Sequence, residues 1–205
     1  MANKAKFWDR IAEKYSKKPV PDEQAYQKKL QLTREYFNPD MEILEFGCGT
    51  GSTAISHAPY VKHILATDIS SKMLEIAQGK ADKQGINNIT FERSDIDALS
   101  LPGQSLDAVL GHSILHLLEN KEAAIAKVYK SLKPGGVFVT STVCLGDKMK
   151  FFKLIAPLGN FLRIMPLVKI FTIEELVKSI NDAGFEIDYQ WQPEKRHSVF
   201  IVAKR

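Results

Sequence analysis

Ile43-Leu44-Glu45-Phe46-Gly47-Cys48-Gly49-Thr50-Gly51-Ser52 decides how this chain folds. Its first four residues suit a short buried strand. The glycines at Gly47, Gly49 and Gly51 then let the backbone turn sharply and let a ligand lie directly against it. A dinucleotide-binding loop of the form G-x-G-x-x-G wants its last glycine where Ser52 stands, and it carries no carboxylate at the strand end, where Glu45 stands here. A pyrophosphate would face that carboxylate, whereas a cationic ligand without phosphate is welcome. An ordinary tight turn and a nucleotide-phosphate loop are the readings set against this one.

Downstream spacing supports a nucleoside ligand. Lys62 to Asp68 reads as a second apolar strand ending in an acid, 21 residues past Gly47. An acid about 20 residues beyond such a loop accepts hydrogen bonds from ribose hydroxyls, so Asp68 is the expected ribose anchor. A third strand, Ile89 to Arg93, runs into Asp95 and Ile96. Asp95 suits an adenine amino group, Ile96 one face of the ring, and Ile69 with Met73 the other. The competing role for either acid is capping the next helix. S-adenosylmethionine has a sulfonium, an α-ammonium and no phosphate, so it meets both the loop and this spacing.

Together these residues resemble the class I S-adenosylmethionine-dependent methyltransferases. The resemblance extends through Leu106 to Leu118 and through Leu132 to Thr140, which look like that family's fourth strand and the Pro-Gly-Gly turn before its fifth. It is strong over about residues 40–145 and loose elsewhere, with the ubiquinone and menaquinone biosynthesis enzymes the nearest subgroup. It implies an α/β, Rossmann-like, doubly wound sheet of seven strands with an antiparallel last strand. It also implies a pocket for S-adenosyl-L-methionine in which His112 participates. The alternatives are a regulator that binds the cofactor without transferring its methyl, and a nicotinamide-dependent oxidoreductase, which Glu45 and Ser52 disfavour.

A chain of 205 residues forms one domain with an adequate core. Its 44% hydrophobic and 25% charged content is ordinary for a globular protein, and a net charge of +4 is too small to signal nucleic acid. Cys48 and Cys144 make neither a disulfide framework nor a metal-ligand spacing, so no metal is expected. Lys4, Lys6, Asp9 and Arg10 preclude a signal-peptide core. A cytoplasmic home is the expectation. Oligomeric state is not legible.

The pattern divides the domain into an N-terminal helical lid at 1–38, a cofactor core at 39–145, an acceptor-side cap at 146–172, and a closing helix and strands at 173–205. Phe7, Trp8, Ile11 and Tyr15 recur at helical spacing, Pro19 and Pro21 interrupt, and a second helix is predicted from Asp22 to Phe37. Tyr15 is the expected lid residue, its hydroxyl reaching the ligand while its ring excludes water. Further helices are predicted at Ser71 to Gln84, Asn120 to Leu132 and Thr172 to Ala183. In the last, Thr172 and Glu175 form a capping-box signature with Gly184 as terminator. Strands are expected at Glu186 to Trp191 and Ser198 to Ala203.

Methyl transfer from a sulfonium demands alignment and desolvation, and a base only if the acceptor must lose a proton. His112 and His116 follow the fourth strand, where the acceptor belongs. His116 is the candidate base, with a structural role the competing reading. Gly111-His112-Ser113-Ile114 lacks the Asn/Asp-Pro-Pro-aromatic run of nucleobase enzymes. Glu119 and Glu122 look too far into the next helix to clamp a guanidinium. A small, apolar or aromatic acceptor remains. From 148 to 171 there is no acid, and basic residues punctuate pairs such as Phe151-Phe152 and Phe161-Leu162. Its longest uncharged run, Leu154 to Leu162, is nine residues and contains Pro157, against the roughly 18 that span a bilayer. The segment is expected to wall an acceptor pocket through Phe151, Phe152, Phe161 and Met165. An anionic membrane surface and a dimer interface are its other occupants.

Overall fold

β1 (Glu42–Phe46) is an interior strand of the sheet, buried over its last four residues. In a computed structural model describing residues 2–147, 168–193 and 198–205, it pairs in parallel with β2 (His63–Asp68) on one side and β4 (Leu106–His112) on the other. β3 (Ile89–Arg93) extends the sheet beyond β2, and β5 (Leu132–Val143) beyond β4. β6 (Glu186–Trp191) and β7 (Ser198–Lys204) complete seven strands in the order β3-β2-β1-β4-β5-β7-β6. β7 is antiparallel to both neighbours. This is the expected doubly wound sheet with its antiparallel last strand.

Apolar packing covers both faces, which is why the central strands read as nearly continuous hydrophobic runs. Leu44, Phe46, Val109, Phe138 and Ile201 pack on one side with α5 (Lys121–Ser131) and α6 (Ile173–Asp182). Ile43, Ile64, Ala66, Leu110, Val139 and Phe200 face the other, towards α3 (Ser52–His57) and α4 (Ser71–Lys83). α1 (Ala2–Ser16) lies against α4, and α2 (Glu23–Arg34) against α3.

Four helices start at side-chain caps. Asp22 accepts from the Ala25 N–H, Ser70 from Met73, Asn120 from Ala123, and Thr172 with Glu175 closes the capping box. α2 ends at Arg34 rather than Phe37. There the Tyr36 and Phe37 N–H groups donate three residues back, to Thr33 and Arg34, and this tighter turn sets the Phe37 ring edge-on against His57. Pro134-Gly135-Gly136 loops out of β5: Leu132 opposes Leu106, yet pairing resumes only at Val137 opposite Ala108. Gly135 takes φ +77° in that loop. Of the expected cap, the Gly146 N–H donates to Phe171 C=O at 3.0 Å, while Phe151, Phe152, Phe161 and Met165 lie outside the described residues.

Candidate functional site

The carboxyl ends of the parallel strands open into a cleft of about 970 Å³, partly continuous with solvent, at the edge where open α/β sheets bind ligands. Its floor is Gly47 and Gly49. Asp68, Ile69 and Met73 form one wall, Asp95 and Ile96 a second, and His112, Ser113 and Ile114 a third, with Trp8 and Tyr15 as roof. A second cleft of about 1530 Å³ shares Tyr15, Gly47, Gly49, His112 and Ser113 with the first. It continues past Glu45 and Cys48 to Tyr26, Lys29, Ser141 and Ser198.

The three loop glycines have different physical reasons. All have positive φ. Gly49 faces open space in both clefts. A Cβ at Gly47 would come within 2.7 Å of the Ile114 side chain, which lies across the loop. Gly51 lines neither cleft. A Cβ there would meet the Ala77 Cβ at 2.7 Å, so it serves the approach of the loop to α4. Cys48 is buried in the loop, and burial raises its thiol pKa well above the usual range, so it is held as the protonated thiol.

Asp68 is oriented by backbone donors: Gly49 N–H reaches its Oδ2 and Ser70 N–H its Oδ1, each at 2.9 Å. Each oxygen keeps acceptor capacity towards the cleft. Burial raises its pKa, and these donors work against that shift. Glu45, only 2% exposed, is pushed up to about 8, first by burial, against a hydrogen bond from the Ala54 backbone, and further by Asp68. Its Oε2 is buried with no hydrogen-bond partner. A buried carboxyl in that condition beside a ligand cleft is poised to ionise against a cationic donor and offers a phosphate no counter-charge. Apolar Ile69, Met73 and Ile96 flank the place beside Asp95 where a flat ring would stack. The residues present therefore fit S-adenosylmethionine.

The two histidines part company. His112 ends β4 and lines both clefts. Its pKa falls to about 4, chiefly by burial and then by Lys29. His116 sits on a short 3-10 turn, Leu115–Leu117, and lines neither cleft. Its Nδ1 is buried without a partner, and burial lowers its pKa to about 4. Glu119 precedes α5 rather than lying within it, lines the first cleft and pairs with Lys4 at 2.7 Å.

Ser113, Ile114, Leu117 and Leu118 complete the first cleft, unforeseen in the sequence. Ser113 holds φ +55°, rare for a residue other than glycine and without a mark in the sequence. Lys29 and Ser141 in the second cleft were also missed. They lie 112 residues apart, and no motif joins them. Among the described residues, no group of three His, Cys, Asp or Glu gathers as metal ligands, and no helix is long and apolar enough to cross a membrane.

Comparison with known proteins supplies the family. A methyltransferase-domain model matches residues 43–136, the stretch from β1 to the Pro-Gly-Gly loop. Malonyl-[acyl-carrier protein] O-methyltransferase of Priestia megaterium is 32% identical over 187 residues, covering 88% of this chain and 65% of that protein. A demethylmenaquinone methyltransferase of Leptospira interrogans is 31% identical over 152 residues, covering 65% of this chain and 60% of that one. The chain thus spans just under two thirds of these relatives' length. The crystal structure of an S-adenosylmethionine-dependent methyltransferase from Mesorhizobium loti superposes with a TM-score of 0.68 at 20% identity, covering 85% of this chain and 96% of that one. With the glycine loop, the acid after β2 and the antiparallel β7 all in place, the methyltransferase domain at residues 43–136 and these relatives support a class I S-adenosylmethionine-dependent methyltransferase.

Proposed function

We propose that this protein transfers the methyl group of S-adenosylmethionine to a small acceptor with an apolar body. The observation that carries the reading is Glu45: a buried carboxyl with an unpartnered oxygen at the glycine loop, which a bound ammonium would ionise and which offers a phosphate no counter-charge. When bound, the cofactor supplies an electrophilic methyl on a sulfonium that leaves readily.

In this reading Asp68 accepts from the ribose hydroxyls. Asp95 accepts from the adenine amino group, between Ile96 on one face and Ile69 and Met73 on the other. Gly47 and Gly49 let the cofactor approach the backbone, and Gly51 keeps that loop seated on α4. Tyr15 and Trp8 exclude water, and His112 lines the junction where the transferred methyl would meet its acceptor. The acceptor's body lies in the second cleft, along Pro19, Val20, Pro21 and Leu30. His116 remains the candidate base for an acceptor that must lose a proton, with a structural role the competing reading because it lines neither cleft. The relatives named above methylate acceptors of different kinds, so the acceptor is decided by this chain's own second cleft.

Calorimetry of the purified protein against S-adenosylmethionine and NAD, followed by transfer of isotopic methyl to an acceptor panel, tests the reading. Binding of S-adenosylmethionine alone with label transfer is expected. Binding without transfer points to a regulator, and binding of NAD instead overturns the assignment. His116→Asn should lower the methylation rate by about 100-fold if it is the base, with cofactor affinity nearly unchanged. A rate within threefold of the parent protein removes it from the chemistry.

A further inference from the structure

Lys80 projects from α4 against the glycine loop. Its Nζ donates to Thr50 Oγ1 at 2.9 Å, to Thr50 C=O at 3.2 Å and to Ser52 Oγ at 3.2 Å. An ammonium has three protons and no lone pair, so these neutral oxygens use it fully. The grip on Thr50 C=O polarises the Thr50–Gly51 peptide, whose N–H closes the turn by donating to Cys48 C=O at 3.0 Å. That turn carries Gly49 at φ +54°, with the Gly49 N–H held on the Asp68 carboxylate. Ala77, against which Gly51 closes, lies three residues before Lys80 on the same face of α4. The loop is therefore gripped by β2 through Asp68 and by α4 through Ala77 and Lys80.

Because an ammonium can only donate, Thr50 Oγ1 and Ser52 Oγ both act as acceptors towards it, and each keeps its own proton for another partner. Both residues line the second cleft and neither lines the first, while Lys80 itself lines neither. Glu45 lines the second cleft as well. We propose that Lys80 is a positioning residue for the cofactor: it orients Thr50 and Ser52 so that their hydroxyl protons receive the α-carboxylate of S-adenosylmethionine at the loop wall of the second cleft. This rests on the methyltransferase reading above, in which Glu45 takes the cofactor's ammonium. That ammonium is carried on the same carbon as the carboxylate, so it pairs with Glu45 and offsets the repulsion between the two acids. Hydrogen bonds to a carboxylate are the shorter, stronger kind, and a hydroxyl already accepting from an ammonium is the better donor.

Calorimetry compares S-adenosylmethionine with its decarboxylated form, which keeps the ammonium, the sulfonium and the adenosine and lacks only the carboxylate. The parent protein should bind S-adenosylmethionine at least tenfold tighter. Lys80→Met should weaken S-adenosylmethionine at least tenfold and the decarboxylated form no more than threefold, and the pair Thr50→Val with Ser52→Ala should show the same split. Adding Lys80→Met to that pair should cost no more than a further threefold, because Lys80 acts through the two hydroxyls. Rescue gives a readout that a merely structural role would not move. Lys80→Cys alkylated with 2-bromoethylamine regains an ammonium at nearly the same reach, and its S-adenosylmethionine affinity should return to within threefold of the parent treated alike. Capping the same cysteine with a neutral methylthio group should leave binding weak. Cys48 and Cys144 are both buried, and the treated parent controls for them. Equal losses for the two ligands, no recovery with the restored charge, or a parent that binds both ligands alike overturns the proposal and leaves the cofactor reading standing. If Lys80→Met does not fold by circular dichroism, the Thr50 and Ser52 pair decides by the same split. A parent that binds neither ligand sinks both readings.

Discussion

Asp68 links the ligand cleft to the loop that shapes it, because the carboxylate that faces the cleft also holds the Gly49 and Ser70 N–H groups. Asp68→Ala should weaken S-adenosylmethionine binding by about 1.5 to 3 kcal/mol, the scale of hydrogen bonds to a charged group. Calorimetry measures the loss, and circular dichroism must show the fold intact. Glu45 makes a different prediction. Its pKa rises from 4.5 to about 8 on folding, so from pH 4.5 to 8 the folded state keeps a proton that the unfolded chain releases. Stability therefore falls as pH rises through that window and levels off above it. Glu45→Gln should abolish this slope, leaving the variant more stable than its parent at pH 8.5 by an amount on the order of a few kcal/mol and nearly equal at pH 4. Urea denaturation at several pH values measures it. The same variant should bind S-adenosylmethionine more weakly, and the parent should release a proton on binding, seen as a calorimetric heat that depends on buffer. At this scale the sequence was informative where one residue type answers one chemical need, as at Asp68, Glu45 and Gly49. It was silent on Gly51, whose constraint is a distant alanine, and on Ser113 and Lys29, whose placement exists only once separate strands and helices meet.

α1 closes the first cleft through two contacts of unequal strength. Asp9 accepts from Ser70 Oγ at 2.6 Å and from Lys72 N–H at 3.2 Å, while Ser70 caps Met73, so the helix is tied to the start of α4. The Ser70 hydrogen bond leads the causes that lower the Asp9 pKa. Lys4 pairs with Glu119 on the opposite rim, but that carboxylate is 70% exposed, and exposed pairs contribute about 0 to 1 kcal/mol. Asp9→Ala should therefore speed cofactor release by about 5- to 10-fold and Lys4→Ala by about 3-fold at most, converting stabilities of roughly 1 to 1.4 and 0.7 kcal/mol into rates. Stopped-flow fluorescence of Trp8 is the measurement, and only the Lys4 effect should fade at high salt. Elements were the most legible level. Apolar runs along β1, β2 and β4 and the capping box at Thr172 and Glu175 mark where those pieces begin. The early end of α2 was not visible, because the Phe37 ring that turns the chain there answers to His57 and not to helix period. Strand order was not visible in periodicity either; it came from resemblance.

Across the whole molecule, protonation sets opposing slopes. Folding lowers His57 to about 3 and His112 and His116 to about 4, mainly by burial, from 6.5. As pH falls from 6.5 towards 4 the unfolded chain takes up protons that the folded one refuses, so stability is lost on that side. Glu45 has the opposite sign up to pH 8, so stability should peak near neutrality, with the acid limb the steeper. His57 is fully buried with neither ring nitrogen hydrogen-bonded. His57→Leu should raise stability at pH 5 by about 2 kcal/mol and flatten the acid limb, as read from denaturant midpoints between pH 4.5 and 9. The position of β7 carries a further consequence. It lies between β5 and β6, and among the described residues β6 has no other sheet partner. On a ribosome, residues 186–191 emerge before 198–204, so β6 waits unpaired while β1 to β4 are already free to assemble. The cofactor half of the sheet can form during synthesis. The other half closes in a single late, non-local step, and a nascent chain stalled just short of β7 would expose the flank of β5 to whatever strand came first.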